Sequence, residues 1–223
     1  LFRFNILTRR GSFFAFLLGF YLAGVGGWPW LMPVLLFFVS SATFTKIHHV
    51  LKGRGTGSTA RNAWQVTANI IWAVISSALF LLTKDEIFIF FFIAFVAAVT
   101  ADTWASEIGP LLNKKCISLS PMRPVPAGTN GGISFFGSVA ALSGAVIISS
   151  LSYHLFYGSW QWDVIAILSV SAFLACFTDS LLGTFAEAKM LQMPYFRKRK
   201  TLESITPNEL VNLMGSVTAF IFY

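Results

Sequence analysis

Long apolar runs separated by shorter polar segments dominate the chain. Seven runs are present, at about 12–27, 28–45, 64–83, 87–101, 133–157, 163–185 and 208–223. A helix needs about 20 residues to cross the hydrocarbon of a bilayer, and the runs approach that length, the fourth only when its polar end is counted. The ten-residue alternation typical of a membrane barrel is absent. The pattern therefore predicts an all-α, polytopic membrane protein with about seven transmembrane helices.

The composition agrees with this prediction. Apolar residues make up 56% of the 223 residues and charged residues only 11%, whereas globular domains carry roughly 25% charged residues. We expect one membrane-embedded domain over residues 1–223. Because the chain opens at Leu1 and ends within an apolar run, we expect flanking segments to be missing at both ends. A bacterial or archaeal cytoplasmic membrane is the expected location, or a plastid membrane in a eukaryote.

Basic residues concentrate on one side of the membrane in the predicted topology. Fifteen of the sixteen Lys and Arg residues lie there, and only Lys84 lies opposite. The positive-inside rule makes that side cytoplasmic. The long polar segments 46–62, 102–132 and 186–207 then share the cytoplasmic face, where we expect the active site. Four tryptophans near the opposite interface are expected to act as anchors: Trp28, Trp30, Trp160 and Trp162.

Three acids occur at one predicted depth near the cytoplasmic face. Asp102 and Glu107 end the fourth run, and Asp179 lies in the sixth. On a continuous helix Glu107 is rotated by about 140° from Asp102. Both acids can therefore serve one site only if the helix breaks or if other helices surround it. Gly109 and Pro110 would permit such a break. Each acid could instead be an interfacial charge or a structural hydrogen-bond partner. Three together favour Mg²⁺, which binds one or two carboxylates plus substrate phosphates.

A glycine-rich turn leads into the fifth run. The backbone N–H groups of such a turn and the positive end of the following helix can hold an anion, although most such turns are only turns. We therefore predict a phosphate-binding segment made of Gly128, Thr129, Asn130, Gly131, Gly132 and Ser134.

Other polar residues on the same side complete the predicted site. Lys46 and Arg61 are candidates for neutralising phosphate, Lys46 with a catalytic role, although both could be simple topology signals. Further predicted substrate-binding residues are Asn69, Ser106, Ser180, Asn208 and Asn212. The histidines lack partners at metal-binding spacing, and we assign them no role.

Several motifs together resemble domain-of-unknown-function family 92, which includes transmembrane protein 19 and the plant and cyanobacterial phytyl-phosphate kinases. The resemblance covers about residues 11–215, and its most specific part is the ordered pair DTWASEIG and GTNGG. The supporting motifs are FFVSSATFTK, RNAWQVTAN, TDSLLG and NELVNL. The resemblance implies a kinase that transfers the γ-phosphoryl group of CTP to a polyprenyl monophosphate, such as phytyl or geranylgeranyl phosphate, giving the diphosphate.

Phosphoryl transfer requires positioning and charge neutralisation, which Mg²⁺ at Asp102, Glu107 and Asp179 would provide. The expected partners are the bilayer, a nucleoside triphosphate and an isoprenoid phosphate, and not nucleic acid; the oligomeric state is left open. Two alternatives remain. A cytidylyltransferase acting on a lipid phosphate would use the same groups, and a transporter of an anionic solute would also place acids within the membrane.

Overall fold

The computed structural model describes residues 8–51, 69–119, 122–129 and 131–190, with side chains as far as Leu181. This part of the chain contains six helices and three short strands. In chain order they are α1 (Arg9–Gly26), α2 (Trp28–Leu51), α3 (Ile71–Thr83), α4 (Ile87–Leu112), β1 (Lys115–Leu119), β2 (Met122–Pro126), β3 (Gly132–Ile133), α5 (Phe135–Tyr157) and α6 (Trp162–Met190).

Four of these helices are long and apolar enough to cross a membrane. They are α2, α4, α5 and the Trp162–Leu181 part of α6. The apolar helix α3 has 13 residues, about 20 Å, which is shorter than the ~30 Å hydrocarbon core. The predicted run at 208–223 lies outside the described residues. A polytopic helical protein is therefore shown, while the count of seven spans and the cytoplasmic orientation stay predictions.

Helix α4 lies at the centre of the bundle. It contacts α2, α3, α5 and α6, and the consecutive residues 92–98 are all buried. Because consecutive residues point to every side of a helix, the middle of α4 is enclosed all round. Exposed apolar side chains lie instead on surrounding helices, such as Phe20 on α1 and Val170 on α6. This distribution is typical of a bundle whose outer helices face lipid.

Small residues on α5 allow α4 to approach closely. A Cβ added at Gly144 would lie 3.2 Å from Cδ2 of Trp104, and one added at Gly137 would lie 3.3 Å from the backbone oxygen of Ala105. Ala141, between these glycines, is buried. The spacing of the three small residues predicts such a packing stripe, and the structure confirms it.

The structure corrects the interpretation of Trp30. Its side chain is 2% exposed, and its ring packs against Phe80, Phe92 and Phe156 at centroid distances of 5.4, 4.7 and 5.0 Å. Trp30 is thus a core residue rather than an interfacial anchor, because it lies on the face of α2 that meets the other helices. The remaining predicted anchors are exposed: Trp28, Trp160 and Trp162.

The all-α prediction is also corrected. The segment predicted as a loop over 102–132 continues α4 to Leu112 and then forms an antiparallel sheet with strand order β2-β1-β3. Five residues of alternation in β1 are too few to distinguish a strand from a loop in sequence. Strands β1 and β3 contact α6. The sheet lies between the end of α4 and the start of α5, and we call this end of the bundle the sheet end.

Candidate functional site

Two aspartates meet between the central helix α4 and helix α6. The side chains of Asp102 of α4 and Asp179 of α6 lie close enough to interact, and Asp179 is only 8% exposed. Two carboxylates repel each other unless a proton or a cation lies between them. The donor set fits Mg²⁺, which takes one or two carboxylates and completes its shell with water and phosphate oxygens.

The aspartate pair lies within the predicted membrane thickness. Charged, exposed residues precede α4 at Lys84, Asp85 and Glu86. From Ile87, Asp102 is fifteen residues along α4, about 22 Å at 1.5 Å per residue. If Ile87 marks one boundary of a ~30 Å hydrocarbon core, the pair lies about 8 Å inside the other boundary. A phosphate bound to the aspartate pair would therefore lie below the level of the lipid headgroups.

Three small or polar residues lie close to Asp179 on α6: Cys176, Thr178 and Ser180. Cys176, one turn before Asp179 on α6, is buried and interacts electrostatically with both carboxyls. Thr178 donates its hydroxyl to the backbone oxygen of Leu174 at 2.6 Å. Ser180, a predicted substrate-binding residue, is half-buried next to Asp179 in the chain.

Glu107 contacts a different helix from Asp102. Thr45 of α2 donates its hydroxyl to Oε1 of Glu107 at 2.5 Å. Nδ1 of His48, also on α2, lies 3.0 Å from Oε2 and 3.1 Å from the backbone oxygen of Glu107. Both carboxylate oxygens therefore have partners on α2. The predicted role of Glu107 as a third metal ligand stays a prediction, and in the described conformation this carboxylate joins α2 to α4.

The continuity of α4 explains why the two acids separate. The helix includes Gly109 and Pro110 and ends only at Leu112, so the 140° rotation expected for a continuous helix applies. Pro110 removes one N–H from the last turn, while Asn113 donates both its backbone N–H and its side-chain amide to the carbonyl of Gly109 at 3.0 Å. These hydrogen bonds cap the C-terminal end of α4 after Pro110.

His48 is a partner of the predicted site residue Glu107 that sequence reasoning missed. It lies three residues after Thr45, so both side chains share one face of α2. In the sequence, a polar pair at this spacing near the end of a membrane helix could have indicated that both side chains share one polar partner. Nδ1 faces two acceptor oxygens, so a hydrogen bond to either of them requires a proton on Nδ1. Nε2 makes no hydrogen bond to the part of the chain that the structure describes.

The glycine-rich turn is held largely by its own hydrogen bonds. Thr129 donates its backbone N–H to the carbonyl of Pro126 at 3.2 Å, and Gly132 donates its N–H to the carbonyl of Thr129 at 3.0 Å. Gly128 and Gly131 have positive φ angles of 89° and 69°, which favour glycine. The turn therefore has a clear structural role, and its binding of phosphate stays a prediction.

Gly132 and Ser134 also have structural partners. A Cβ on Gly132 would overlap the sulfur of Cys116. Ser134 is the N-cap of α5, and its hydroxyl accepts the N–H of Gly137 at 3.2 Å. Glycine and serine in these positions are explained by packing and capping.

The other predicted residues lie on several elements. Lys46 is exposed on α2, and Asn69 is half-buried in the turn before α3. Ser106 is exposed and donates to the backbone oxygen of Thr103 at 3.0 Å. Four predicted residues lie outside the described residues: Arg61, Asn130, Asn208 and Asn212. Within the described ranges, no cluster of three or more His, Cys, Asp or Glu residues could hold a metal ion, so the aspartate pair would need ligands from substrate or water.

Sequence comparison identifies the family. The profile of the family described as "Integral membrane protein DUF92" matches residues 1–220. The chain belongs to this family. The expected membership of domain-of-unknown-function family 92 is thus confirmed, and this DUF92 protein is an integral membrane protein.

Similar proteins come from an archaeon, a cyanobacterium and a plant. An uncharacterized membrane protein of Methanocaldococcus jannaschii is 28% identical over 95% of this chain and 82% of its own length. One of Synechocystis is 25% identical over 83% of this chain and 74% of its own length. Protein PGR of Arabidopsis thaliana is 31% identical over 39% of this chain and 33% of its own length. No solved structure matches the DUF92 chain.

Proposed function

We propose that this DUF92 protein is a Mg²⁺- and CTP-dependent kinase that converts a polyprenyl monophosphate to the diphosphate. The observation that carries the proposal is the Asp102–Asp179 pair between α4 and α6. Acids within a membrane are costly and mark functional sites by default. Mg²⁺ bound there would neutralise charge on the phosphate oxygens during transfer. The prenyl acceptor is supported by the motif resemblance given above.

The depth of the pair supports a lipid acceptor. A site about 8 Å inside the hydrocarbon boundary is reached by an amphiphile whose tail stays among lipid chains while its phosphate moves between helices. A polyprenyl phosphate has this form. Its phosphate is already anionic, so the acceptor needs no strong general base, and the two aspartates need only hold the metal and orient the reacting phosphates.

Donor labelling tests the reaction. Purified protein in lipid vesicles is given geranylgeranyl phosphate and CTP labelled separately at the α and γ phosphates. The proposal expects the γ label, and not the α label, in the lipid product. Transfer of the α label would instead establish a cytidylyltransferase. Absence of both labels from lipid, with folded protein and a range of prenyl phosphates, would contradict both enzymes.

Charge-neutral variants test the metal site. Asp102→Asn and Asp179→Asn each remove one carboxylate and should raise the Mg²⁺ concentration needed for half-maximal turnover by at least about tenfold. Asp163→Asn is the matched control, because Asp163 is an exposed acid in the first turn of the same helix α6. Equal Mg²⁺ dependence in the aspartate-pair variants and this control would remove the pair from the metal site.

A further inference from the structure

The β1–β2 hairpin has an exposed apolar face. In its antiparallel register, Ile117 pairs with Pro124 and Leu119 pairs with Met122, and directly opposed residues share a face of the sheet. Met122 is 80% exposed and Ile117 is 53% exposed. Large apolar side chains therefore project together from the outer face of this hairpin.

The other face of the hairpin is attached to the protein. Cys116 and Ser118 alternate with Ile117 and are 5% and 6% exposed. The thiol of Cys116 lies 3.2 Å from the carbonyl oxygen of Pro126, and β1 contacts α6. The apolar outer face is thus held in a fixed direction, away from α6.

The hairpin begins at the level of the lipid headgroups. Counted from Ile87, a ~30 Å hydrocarbon core ends near residue 107, and Leu112 lies about 7 Å beyond it. The interfacial layer of a bilayer is about 5–7 Å thick on each side. Strand β1 starts three residues after Leu112, so the hairpin begins at the outer edge of this layer.

Charge and neighbouring side chains indicate the partner. Lys114 and Lys115 at the start of the hairpin are exposed, and Lys115 lies on the same face of β1 as Ile117. Basic groups near a membrane surface are attracted to anionic lipids. The adjoining helix ends carry the exposed apolar residues Leu112 at 59% and Phe135 at 74%. The helix ends on either side of the sheet in the chain thus also expose apolar side chains.

We propose that the β1–β2 hairpin is an interfacial membrane-binding element whose outer face enters the leaflet at the sheet end and whose basic residues contact anionic lipid headgroups. This role is independent of the proposed kinase activity. It holds the sheet against the membrane surface at the sheet end of the bundle.

Site-specific fluorescence in vesicles tests the proposal. Met122→Cys carries an environment-sensitive label on the outer face, and Ile117→Cys provides a second position on the same face should the first variant fold poorly. Thr129→Cys is the control, because Thr129 is exposed in the polar turn after β2. Cys116 and Cys176 are buried, and the unsubstituted protein measures their background labelling. Vesicles contain phosphatidylcholine alone or an equal mixture with phosphatidylglycerol.

The expected result is quenching of the outer-face labels by nitroxide-bearing lipids at least about twofold stronger than quenching of the Thr129 label. Phosphatidylglycerol should increase this difference, and Lys115→Gln should reduce the increase. Outer-face labels quenched by aqueous iodide as strongly as the Thr129 label would overturn the proposal. Labels shielded from both quenchers would also overturn it, because a second copy or another protein segment would then cover the face.

Discussion

Replacing Gly137 by alanine tests the close contact between α4 and α5. The added Cβ would lie 2.8 Å from the hydroxyl of Ser134 and 3.3 Å from the backbone oxygen of Ala105. Overpacking of this kind costs about 1–3 kcal/mol. Displacing the Ser134 hydroxyl also weakens the N-cap of α5, which is worth about 1 kcal/mol. Alanine regains up to about 1 kcal/mol of helix propensity, so we expect a net loss of about 1–3 kcal/mol in the free energy of unfolding.

The assay is reversible unfolding in mixed micelles of a mild detergent and dodecyl sulfate, followed by far-UV circular dichroism. Gly24→Ala is the matched control, since Gly24 also lies within a helix but an added Cβ there meets nothing within 4 Å. This control should leave stability unchanged or raise it by up to about 1 kcal/mol.

A double-mutant cycle isolates the contact with Ser134. In a Ser134→Ala background the hydroxyl that meets the new methyl group is absent, so Gly137→Ala should cost about 1 kcal/mol less than in the wild type. If Gly137→Ala matches Gly24→Ala in stability, α5 does not approach α4 as closely as described and the reasoning fails.

Two further predictions concern side chains near the two ends of α2. Trp30→Ala should lower the free energy of unfolding by about 3–5 kcal/mol, because it removes a large side chain from a buried aromatic cluster. Trp28→Ala, at an exposed position, should cost less than about 1 kcal/mol. Equal losses for the two variants in chemical unfolding would show that Trp30 is an interfacial residue after all. Thr45→Val removes the donor to Glu107 and should destabilise the protein by about 1–2 kcal/mol. An unchanged midpoint, with Thr43→Val as an exposed control on the same helix, would show that this bond does not stabilise the native state.

Features that depend on spacing within one helix could be predicted from the sequence. The helix cores, the small-residue stripe around Gly144 and the separation of Asp102 from Glu107 on a continuous helix all follow from 3.6 residues per turn. The meeting of Asp102 with Asp179 was predicted only as a shared depth, because helix periodicity does not say which helices are neighbours. The structure supplies that neighbour relation through the contact of α4 with α6.

Features that depend on tertiary neighbours were missed. Trp30 has the composition of an interfacial anchor, and only its packing against three phenylalanines makes it a core residue. His48 has no partner nearby in sequence, since Glu107 is 59 residues away. The sheet was missed because its strands are only two to five residues long, and strand formation depends strongly on neighbouring strands that the local pattern does not reveal.

The polar contacts of α4 link this helix to two neighbouring helices at the same end of the bundle. Asp102 meets α6 on one side, and Glu107 meets α2 about 140° around the same axis. Side-chain ends lie about 5–6 Å from the axis, so a turn of about 10° moves each of them by about 1 Å. A turn that large would break the 3.0 Å contact between Glu107 and His48. Rotation of α4 that would realign the carboxyl pair is therefore opposed by the contacts of Glu107 with α2.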